Sequence, residues 1–185
     1  MHESKNLNYG FVILSPDINY GRVFTTIRSI RANYGDVPIV CTVPKEATAK
    51  QIEQLKELCP TYKGKSHFTS LINVGIKNGH KEWNLVVMEG AIVPCRVIHK
   101  YSRFVEQQTD ILFPIMPDYD LDGKPIRLNA QFYDSSLNGL FIHAETFKKI
   151  GNLTDNPLEI SRTFWAIDAI NKGCRFKAIL GIRIL

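Results

Sequence analysis

Residues 11–44 read FVILSPDINYGRVFTTIRSIRANYGDVPIVCTVP, and this stretch decides the fold class. An apolar run over 9–14 stops at Ser15-Pro16, and a second run over 37–43 stops at Pro44. Between them, Val23, Ile27 and Ile30 recur at helical spacing. Short apolar runs bounded by turn residues are typical of buried strands, whereas spacings of three and four residues are typical of a helix packed on one face. The stretch predicts a strand–helix–strand unit.

The remainder of the chain repeats this alternation. Further strands are predicted over 85–88, 111–115, 140–143 and 176–185, and further helices after the Thr48–Gln51 capping box and over 66–78, 93–107, 144–150 and 158–172. In the last long helix, Ile160, Phe164, Ile167 and Ile170 are predicted to face the core. Asp122-Gly123 predicts a hairpin turn. The pattern favours one α/β domain over 1–185, with a largely parallel central sheet, helices on both faces and a late antiparallel hairpin.

Composition narrows the class of protein. The 185 residues are 44% hydrophobic and 22% charged with a net charge of +5, which is typical of a globular domain rather than a disordered or fibrous chain. The basic residues are spread along the chain, so we expect no nucleic-acid partner. The four cysteines form no C-x-x-C pair, which argues against zinc. Without an apolar segment of about 18 residues or an apolar leader, we expect a cytoplasmic protein with no membrane span.

Polar residues follow the predicted parallel strands. Asp17 and Asn19 follow the first strand, Thr42 lies near the end of the second, and Glu89 ends the strand that begins near Trp83. Because ligands of open parallel sheets bind outside the carboxyl ends of the strands, we expect these side chains to line a ligand site. The alternative for Asp17 and Asn19 is that they cap the first helix.

Glu89 is the predicted metal ligand. Mg²⁺ and Mn²⁺ prefer oxygen ligands and take only one or two from the protein when a substrate phosphate supplies others. The alternative is that Glu89 is a solvated residue at the end of a strand. We expect a divalent cation to bind weakly and in dependence on a phosphate-bearing donor.

Two further segments carry a family resemblance together with residues 11–44. The segment SLINVGIKNGHKEWNLVVMEGAIVP resembles the "Arg-Asn-x-Gly-Ile … Asp-x-Asp … Pro" block of the inverting family-2 glycosyltransferases, which have the glycosyltransferase A fold. The segment NGLFIHAETFKKIGNLTDNPLEISRTFWAIDAINKGCRFK resembles their C-terminal block, and Pro16-Asp-Ile-Asn19 resembles their Pro-x-x-Asn turn. The resemblance implies a protein that binds a nucleoside diphosphate sugar and transfers the sugar to an unknown hydroxyl acceptor.

The resemblance also implies roles for particular residues. The donor would contact Ser15, Pro16, Asp17, Asn19, Thr42 and Asn73, and Lys65 or Arg162 would offset part of the diphosphate charge. Lys65 lies with Lys63 and His67 in a predicted polar loop, whose alternative role is that of a solvated loop. Glu159 or Asp155 would be the catalytic base, since these are the carboxylates nearest to the family's acidic pair.

The sequence departs from the family at several motif positions. Val87 stands where the first acid of Asp-x-Asp is expected, and Ser161-Arg162 stands where the family has its catalytic Glu-Asp pair. These departures favour an alternative, a nucleotide-sugar-binding module that is catalytically weak or inactive. A nucleotidyltransferase is a third alternative, although only Gly21 and Arg22 represent its phosphate loop.

Other motif matches carry less weight. Asp118-x-Asp120-x-Asp122 matches the opening of a calcium loop, but Asn129 stands at its twelfth position and the arm reads as a hairpin. His143 ends a predicted strand and is expected to have a structural role.

Overall fold

The computed structural model describes residues 7–105, 109–115, 118–119, 125–127, 138–154, 158–180 and 184. Within these ranges, the backbone but not the side chains is described for residues 114–115, 118–119, 125–127, 158–163, 178 and 180. Seven of the described strands form one sheet in the order β3-β2-β1-β4-β8-β5-β9. They are β1 (Tyr9–Leu14), β2 (Ile39–Pro44), β3 (Thr61–Gly64), β4 (Trp83–Met88), β5 (Ile111–Ile115), β8 (Phe141–His143) and β9 (Phe176–Leu180).

The sheet is mostly parallel. Strands β3, β2, β1 and β4 run in one direction, and β5 pairs in parallel with β9. Strand β8 is antiparallel to both of its neighbours, β4 and β5. Strands β6 (Asp118–Tyr119) and β7 (Pro125–Arg127) form a separate antiparallel pair, which confirms the predicted hairpin; its turn lies outside the described residues.

Six described helices cover the sheet: α1 (Tyr20–Tyr34), α2 (Ala49–Lys56), α3 (Phe68–Asn78), α4 (Val97–Val105), α5 (Ala144–Ile150) and α6 (Leu158–Asn171). The Thr48 hydroxyl accepts a hydrogen bond from the Gln51 amide at 3.3 Å, as the predicted capping box requires. Two buried clusters follow from the alternation of side chains along the strands. Phe11 and Ile13 pack with α1, α2 and α4, whereas Val12 and Leu14 pack with α3, α5 and α6.

The carboxyl ends of β1, β2 and β4 lie at one edge of the sheet. Strand β1 pairs with β2 from Phe11↔Ile39 to Leu14↔Thr42, and with β4 from Tyr9↔Trp83 to Leu14↔Met88. These pairings confirm the prediction that the strands are parallel neighbours. The edge beyond Leu14, Pro44, Gly64 and Met88 is called the carboxyl edge below.

Two features differ from the sequence predictions. Residues 61–64 form the edge strand β3 rather than part of a loop, because the backbone of this polar stretch pairs with β2.

In α6, Phe164, Ile167 and Ile170 are 58%, 47% and 60% exposed, which contradicts the prediction that they face the core. Trp165 is buried instead, since its indole N–H donates to the Gly151 carbonyl at 2.8 Å and its ring packs against Phe147. This anchor sets the rotation of the helix.

Candidate functional site

The loop after β1 closes around the carboxylate of Glu89. Glu89 Oε2 accepts hydrogen bonds from the Ser15 hydroxyl at 2.5 Å and from the Asn19 amide at 3.1 Å, and Oε1 accepts one from the Asp17 amide at 2.9 Å. Ser15 is fully buried and Glu89 is 8% exposed. The structure therefore brings Ser15, Asp17, Asn19 and Glu89 together, as predicted, and the alternative of a solvated Glu89 is wrong.

The conformation of this loop is strained at Ile18. Its φ of 54° makes it the one non-glycine residue with positive φ among the described residues. A β-branched residue rarely adopts this left-handed conformation, which costs on the order of 1–3 kcal/mol. The two amides that flank Ile18 are the ones that bind Glu89, so the carboxylate holds the strained turn in place.

The first turn of α1 completes the loop. The Asn19 side chain accepts a hydrogen bond from the Arg22 amide at 3.1 Å, which confirms the alternative that Asn19 caps this helix. Asp17 is not the capping residue; its carboxylate forms an exposed ion pair with Arg22 at 3.1 Å. The side chains of Asp17 and Asn19 face solvent beside the buried Glu89. A ligand can reach them without opening the core.

The described residues do not form a ready metal site. A carboxylate offers about four lone-pair positions, and hydrogen bonds already occupy three of those of Glu89. The described part of the chain contains no cluster of three or more His, Cys, Asp or Glu side chains that could hold an ion. Val87, at the position of the family's first acid, is fully buried. The binding of a divalent cation by Glu89 stays a prediction. The hydrogen bonds that Glu89 makes in the structure give it the role of holding the loop after β1 in place.

Thr42 and Asn73 are placed by packing contacts. Thr42 is fully buried, its hydroxyl donates to the Ile13 carbonyl at 3.4 Å, and its methyl group faces Gly75 of α3. The Asn73 side chain donates to the Leu153 carbonyl at 2.8 Å and accepts from the Leu153 amide at 2.9 Å. These contacts tie α3 to the sheet and to the segment after α5. A donor contact by either residue stays a prediction.

Cationic side chains gather where β2 and β3 end. Lys45 follows β2, Lys63 lies in β3 and Lys65 follows β3; these three residues are called the lysine cluster below. Lys63 Nζ donates to the Lys45 carbonyl at 3.2 Å, and Lys45 Nζ lies 4.0 Å from Glu46. The hydrogen bond from the Ser66 hydroxyl holds the pKa of Glu46 below its usual value, so this carboxylate stays charged. Sequence reasoning grouped Lys63 with Lys65 but did not place Lys45 beside them, because the pairing of β2 with β3 was not foreseen.

Helix α3 begins beside the lysine cluster. His67 is its N-cap and makes no side-chain capping hydrogen bond. Thr69, in the first turn, is 1% exposed, and its hydroxyl is buried without a hydrogen-bond partner. Nothing in the sequence distinguishes Thr69 from an ordinary core threonine, so sequence reasoning missed it.

The predicted catalytic residues are described only in part. The backbone of Glu159 and Arg162 lies in α6, which begins at Leu158 as predicted, and their side chains lie outside the described part of the structure. Asp155, Asp120 and Asp122 lie outside the described residues. His143 caps α5 and packs edge-on against Trp83, which confirms its structural role.

Solved structures resemble this chain despite very low sequence identity. Residues 1–349 of S. aureus TarS match with a TM-score of 0.63 at 11% identity, over 96% of this chain and 59% of that one. A 4-diphosphocytidyl-2C-methyl-D-erythritol synthase matches with a TM-score of 0.63 at 12% identity, over 94% and 89% of the two chains. The chain has a glycosyltransferase A-like fold.

The comparisons establish this glycosyltransferase A-like fold. A structure of TarS 1–349 in complex with UDP matches with a TM-score of 0.65 at 10% identity, over 96% of this chain and 59% of that one. The chain thus spans less than two thirds of that TarS fragment. No protein-family model matches the sequence, and no curated protein sequence matches it. Within the described residues, no helix has the length and apolar character needed to cross a membrane.

Proposed function

We propose that the chain binds a nucleoside diphosphate sugar at the carboxyl edge and acts as a glycosyltransferase toward a hydroxyl acceptor. The observation that carries the proposal is the ordered loop 15–19, which Glu89 holds at the edge where ligands of open parallel sheets bind. The matching TarS fragment was solved with UDP, which supports a nucleotide ligand for this fold. The exposed Asp17 and Asn19 side chains are suited to hydrogen-bond the base or ribose.

Transfer would need a base for the acceptor hydroxyl and cationic groups for the leaving diphosphate. Glu159 and Asp155 are our candidates for the base, and Lys65 and Arg162 are candidates for the cationic groups. Mg²⁺ or Mn²⁺, if bound, would supply further stabilisation of the leaving diphosphate.

The second candidate function is nucleotide-sugar binding without efficient transfer. Two observations favour it: Val87 is buried where the family has an acid, and the carboxylate of Glu89 is engaged by the loop. Both reduce the number of groups that can stabilise a leaving diphosphate.

A nucleotidyltransferase remains a third candidate, since the chain spans 89% of the matching synthase. An anion on the loop after β1 would need free backbone amides there. The amides of Asp17 and Asn19 instead bind Glu89, which argues against a triphosphate at that loop.

A thermal-shift panel of nucleoside diphosphates, their sugars and nucleoside triphosphates tests the proposal. A ligand that binds only the native state raises its stability by about 2.7 kcal/mol at a hundredfold excess over the dissociation constant. We expect stabilisation by a diphosphate nucleotide, weakened in Asp17→Ala and unchanged in the control Glu57→Gln, whose exposed side chain lies at the end of α2. No shift with any diphosphate nucleotide would contradict the proposal, and a response to triphosphates alone would favour the third candidate.

A further inference from the structure

We infer that Arg22 binds the diphosphate of the ligand at the carboxyl edge and there takes the place of a divalent cation. The inference rests on the proposed function, within which it assigns the group that offsets the phosphate charge. In the structure Arg22 is paired with Asp17, and we expect it to exchange this partner for the diphosphate when the ligand binds.

The first step is that the end of β4 does not suit a metal ion. The resemblance to family-2 glycosyltransferases implies two acids there, but the first of these positions holds the buried, apolar Val87. The second holds Glu89, whose carboxylate already accepts three hydrogen bonds from the loop after β1. A cation would have to share this carboxylate with the loop, so a diphosphate at this edge needs another source of positive charge.

The second step is the position of Arg22, which the fold holds at the same edge. Its backbone amide donates to the capping side chain of Asn19 at 3.1 Å, and its carbonyl accepts from the Gly90 amide at 3.1 Å. A Cβ added at Gly90 would lie 3.6–3.8 Å from the Cβ, Cγ and Cδ atoms of Arg22, so the aliphatic stem of the arginine lies over this glycine. Gly90 directly follows Glu89, and the arginine side chain therefore lies beside the end of β4.

The third step is the direction of the guanidinium. Its Nη1 donates to Asp17 Oδ2 at 3.1 Å, and the Asp17 amide donates to Glu89 Oε1 at 2.9 Å. The guanidinium thus lies beside the loop that borders the candidate site, where the side chains of Arg22 and Asp17 are 58% and 66% exposed. A ligand can reach this positive charge without any movement of the core.

The fourth step is that the pair with Asp17 leaves Arg22 able to bind a phosphate. The hydrogen bond to Asp17 uses one of the five N–H donors of the guanidinium. An exposed ion pair contributes little to stability, whereas a guanidinium and a phosphate form paired, charge-assisted hydrogen bonds. A diphosphate therefore competes favourably for Arg22, and the exchange frees the Asp17 carboxylate for a hydroxyl of the adjoining ribose.

The test measures binding of inorganic pyrophosphate, UDP and uridine by titration calorimetry in EDTA. Arg22→Gln should weaken UDP and pyrophosphate at least about tenfold, because charge-assisted hydrogen bonds are lost. It should not weaken uridine, and it should melt close to the parent without ligand, since only an exposed ion pair is removed. UDP affinity that stays the same in Arg22→Gln would overturn the inference.

Two further arginine variants separate a specific contact from general charge attraction. Arg22→Lys keeps the charge but loses the planar fork, so its UDP affinity should lie between those of the parent and Arg22→Gln. The matched control is Arg28→Gln, which alters an exposed arginine of α1 that lies about 9 Å further along the helix. It should have no effect, and equal losses in Arg22→Gln and Arg28→Gln would overturn the inference.

Asp17→Asn tests the exchange of partners. This change removes the group that competes with phosphate for Arg22, so pyrophosphate should bind several-fold tighter than to the parent. The gain should disappear when Arg22→Gln is added, because the two residues then no longer interact. An equal gain with and without Arg22 would reflect the removal of a negative charge alone and would contradict the exchange.

The inference also predicts that binding does not depend on a metal ion. UDP should bind in EDTA within about threefold of its affinity with Mn²⁺, since Arg22 supplies the positive charge. UDP binding that occurs only with Mn²⁺ would overturn the inference.

The same titrations distinguish this inference from the proposed function. Arg22-dependent binding of pyrophosphate with no response to any nucleotide would support the role of Arg22 and contradict nucleotide binding. Nucleotide binding that is insensitive to Arg22→Gln would support nucleotide binding and contradict the role of Arg22.

Discussion

The buried hydroxyl of Ser15 donates to Glu89 Oε2 at 2.5 Å and thereby joins the carboxyl ends of β1 and β4. The two residues are 74 positions apart in sequence and each directly follows one of two neighbouring strands. Glu89 also binds the amides on both sides of the strained Ile18. One carboxylate thus determines the shape of the loop that borders the candidate site.

The first prediction concerns this carboxylate. Glu89→Gln keeps the side-chain volume but leaves a single acceptor oxygen where two oxygens accept three hydrogen bonds. We expect the free energy of unfolding to fall by about 1–3 kcal/mol, since buried donors lose their partner. Hydrogen exchange at the amides of Asp17 and Asn19 should accelerate, as mass spectrometry of the peptide spanning them can show. The exposed Glu57→Gln is the control, and unchanged protection in Glu89→Gln would contradict the role of Glu89 in the loop.

The second prediction concerns the contact of α3 with the sheet. A Cβ added at Gly75 would lie 2.2 Å from Val12 Cγ1 and 3.3 Å from Thr42 Cγ2. Gly75→Ala must therefore push α3 away from β1 and β2, which we expect to cost about 1–3 kcal/mol of stability. Gly21→Ala is the control, because Gly21 is an exposed helical glycine whose added Cβ would meet only Asn19 Oδ1, at an ordinary contact distance of 3.5 Å. Chemical denaturation of the two variants checks the prediction, and equal stabilities would contradict it.

The fold could be predicted because its signals are local. The apolar runs of β1 and β2, the Thr48–Gln51 capping box and the glycine after α5 each depend on neighbouring residues, and the structure confirms the elements they define. The predicted strand at 37–43 and helix at 93–107 differ from β2 and α4 only at their ends.

What the sequence could not reveal depends on distant contacts. Strand β3 is polar and is defined by its pairing with β2. The rotation of α6 depends on the hydrogen bond from Trp165 to Gly151, so apolar spacing alone selected the wrong face. The sequence indicated that Glu89 lies at the carboxyl edge, yet its engagement by Ser15 and two amides arises only when β1 and β4 pair.

The third prediction concerns pH. Burial raises the pKa of Tyr34 to about 12, against the lowering effect of hydrogen bonds with the backbone of Ile98 and Val97. A group whose pKa is higher in the folded state contributes stability that is present below its unfolded pKa of about 10 and is lost as the pH rises toward 12. Stability should therefore decline over this interval, and the decline should be shallower in Tyr34→Phe. Denaturation at pH 9, 10 and 11 checks this, and an identical decline in the variant would exclude Tyr34 as a cause.

The fourth prediction concerns metal ions. We expect titration of Mn²⁺ into the ligand-free protein to show only weak binding, because Glu89 is engaged and Mn²⁺ relies on substrate phosphate when few protein ligands are present. Tight binding that disappears in Glu89→Ala would restore Glu89 as a metal ligand. Tight binding that survives this substitution would direct attention to Asp118, Asp120 and Asp122.

The last prediction separates a transferase from a binding module. A base must reach the acceptor hydroxyl at about 2.6–3.2 Å. The resemblance places the acidic pair at Ser161-Arg162, and Glu159 lies two residues earlier, about 200° away around a helix. Glu159 could act as the base from a flexible loop only if α6 began after it. In the structure, α6 begins at Leu158.

The second candidate function, binding without efficient transfer, therefore predicts slow or absent transfer together with retained nucleotide binding, whereas the proposed glycosyltransferase predicts rapid turnover. The assay follows donor hydrolysis and transfer over a panel of nucleotide sugars in the parent, Glu159→Gln and Asp155→Asn, with nucleotide affinity measured in parallel. Rapid turnover abolished by one substitution at unchanged affinity would identify the base and contradict the binding module. Rapid turnover that survives both substitutions would also contradict the binding module and would show that the base belongs to another part of the chain.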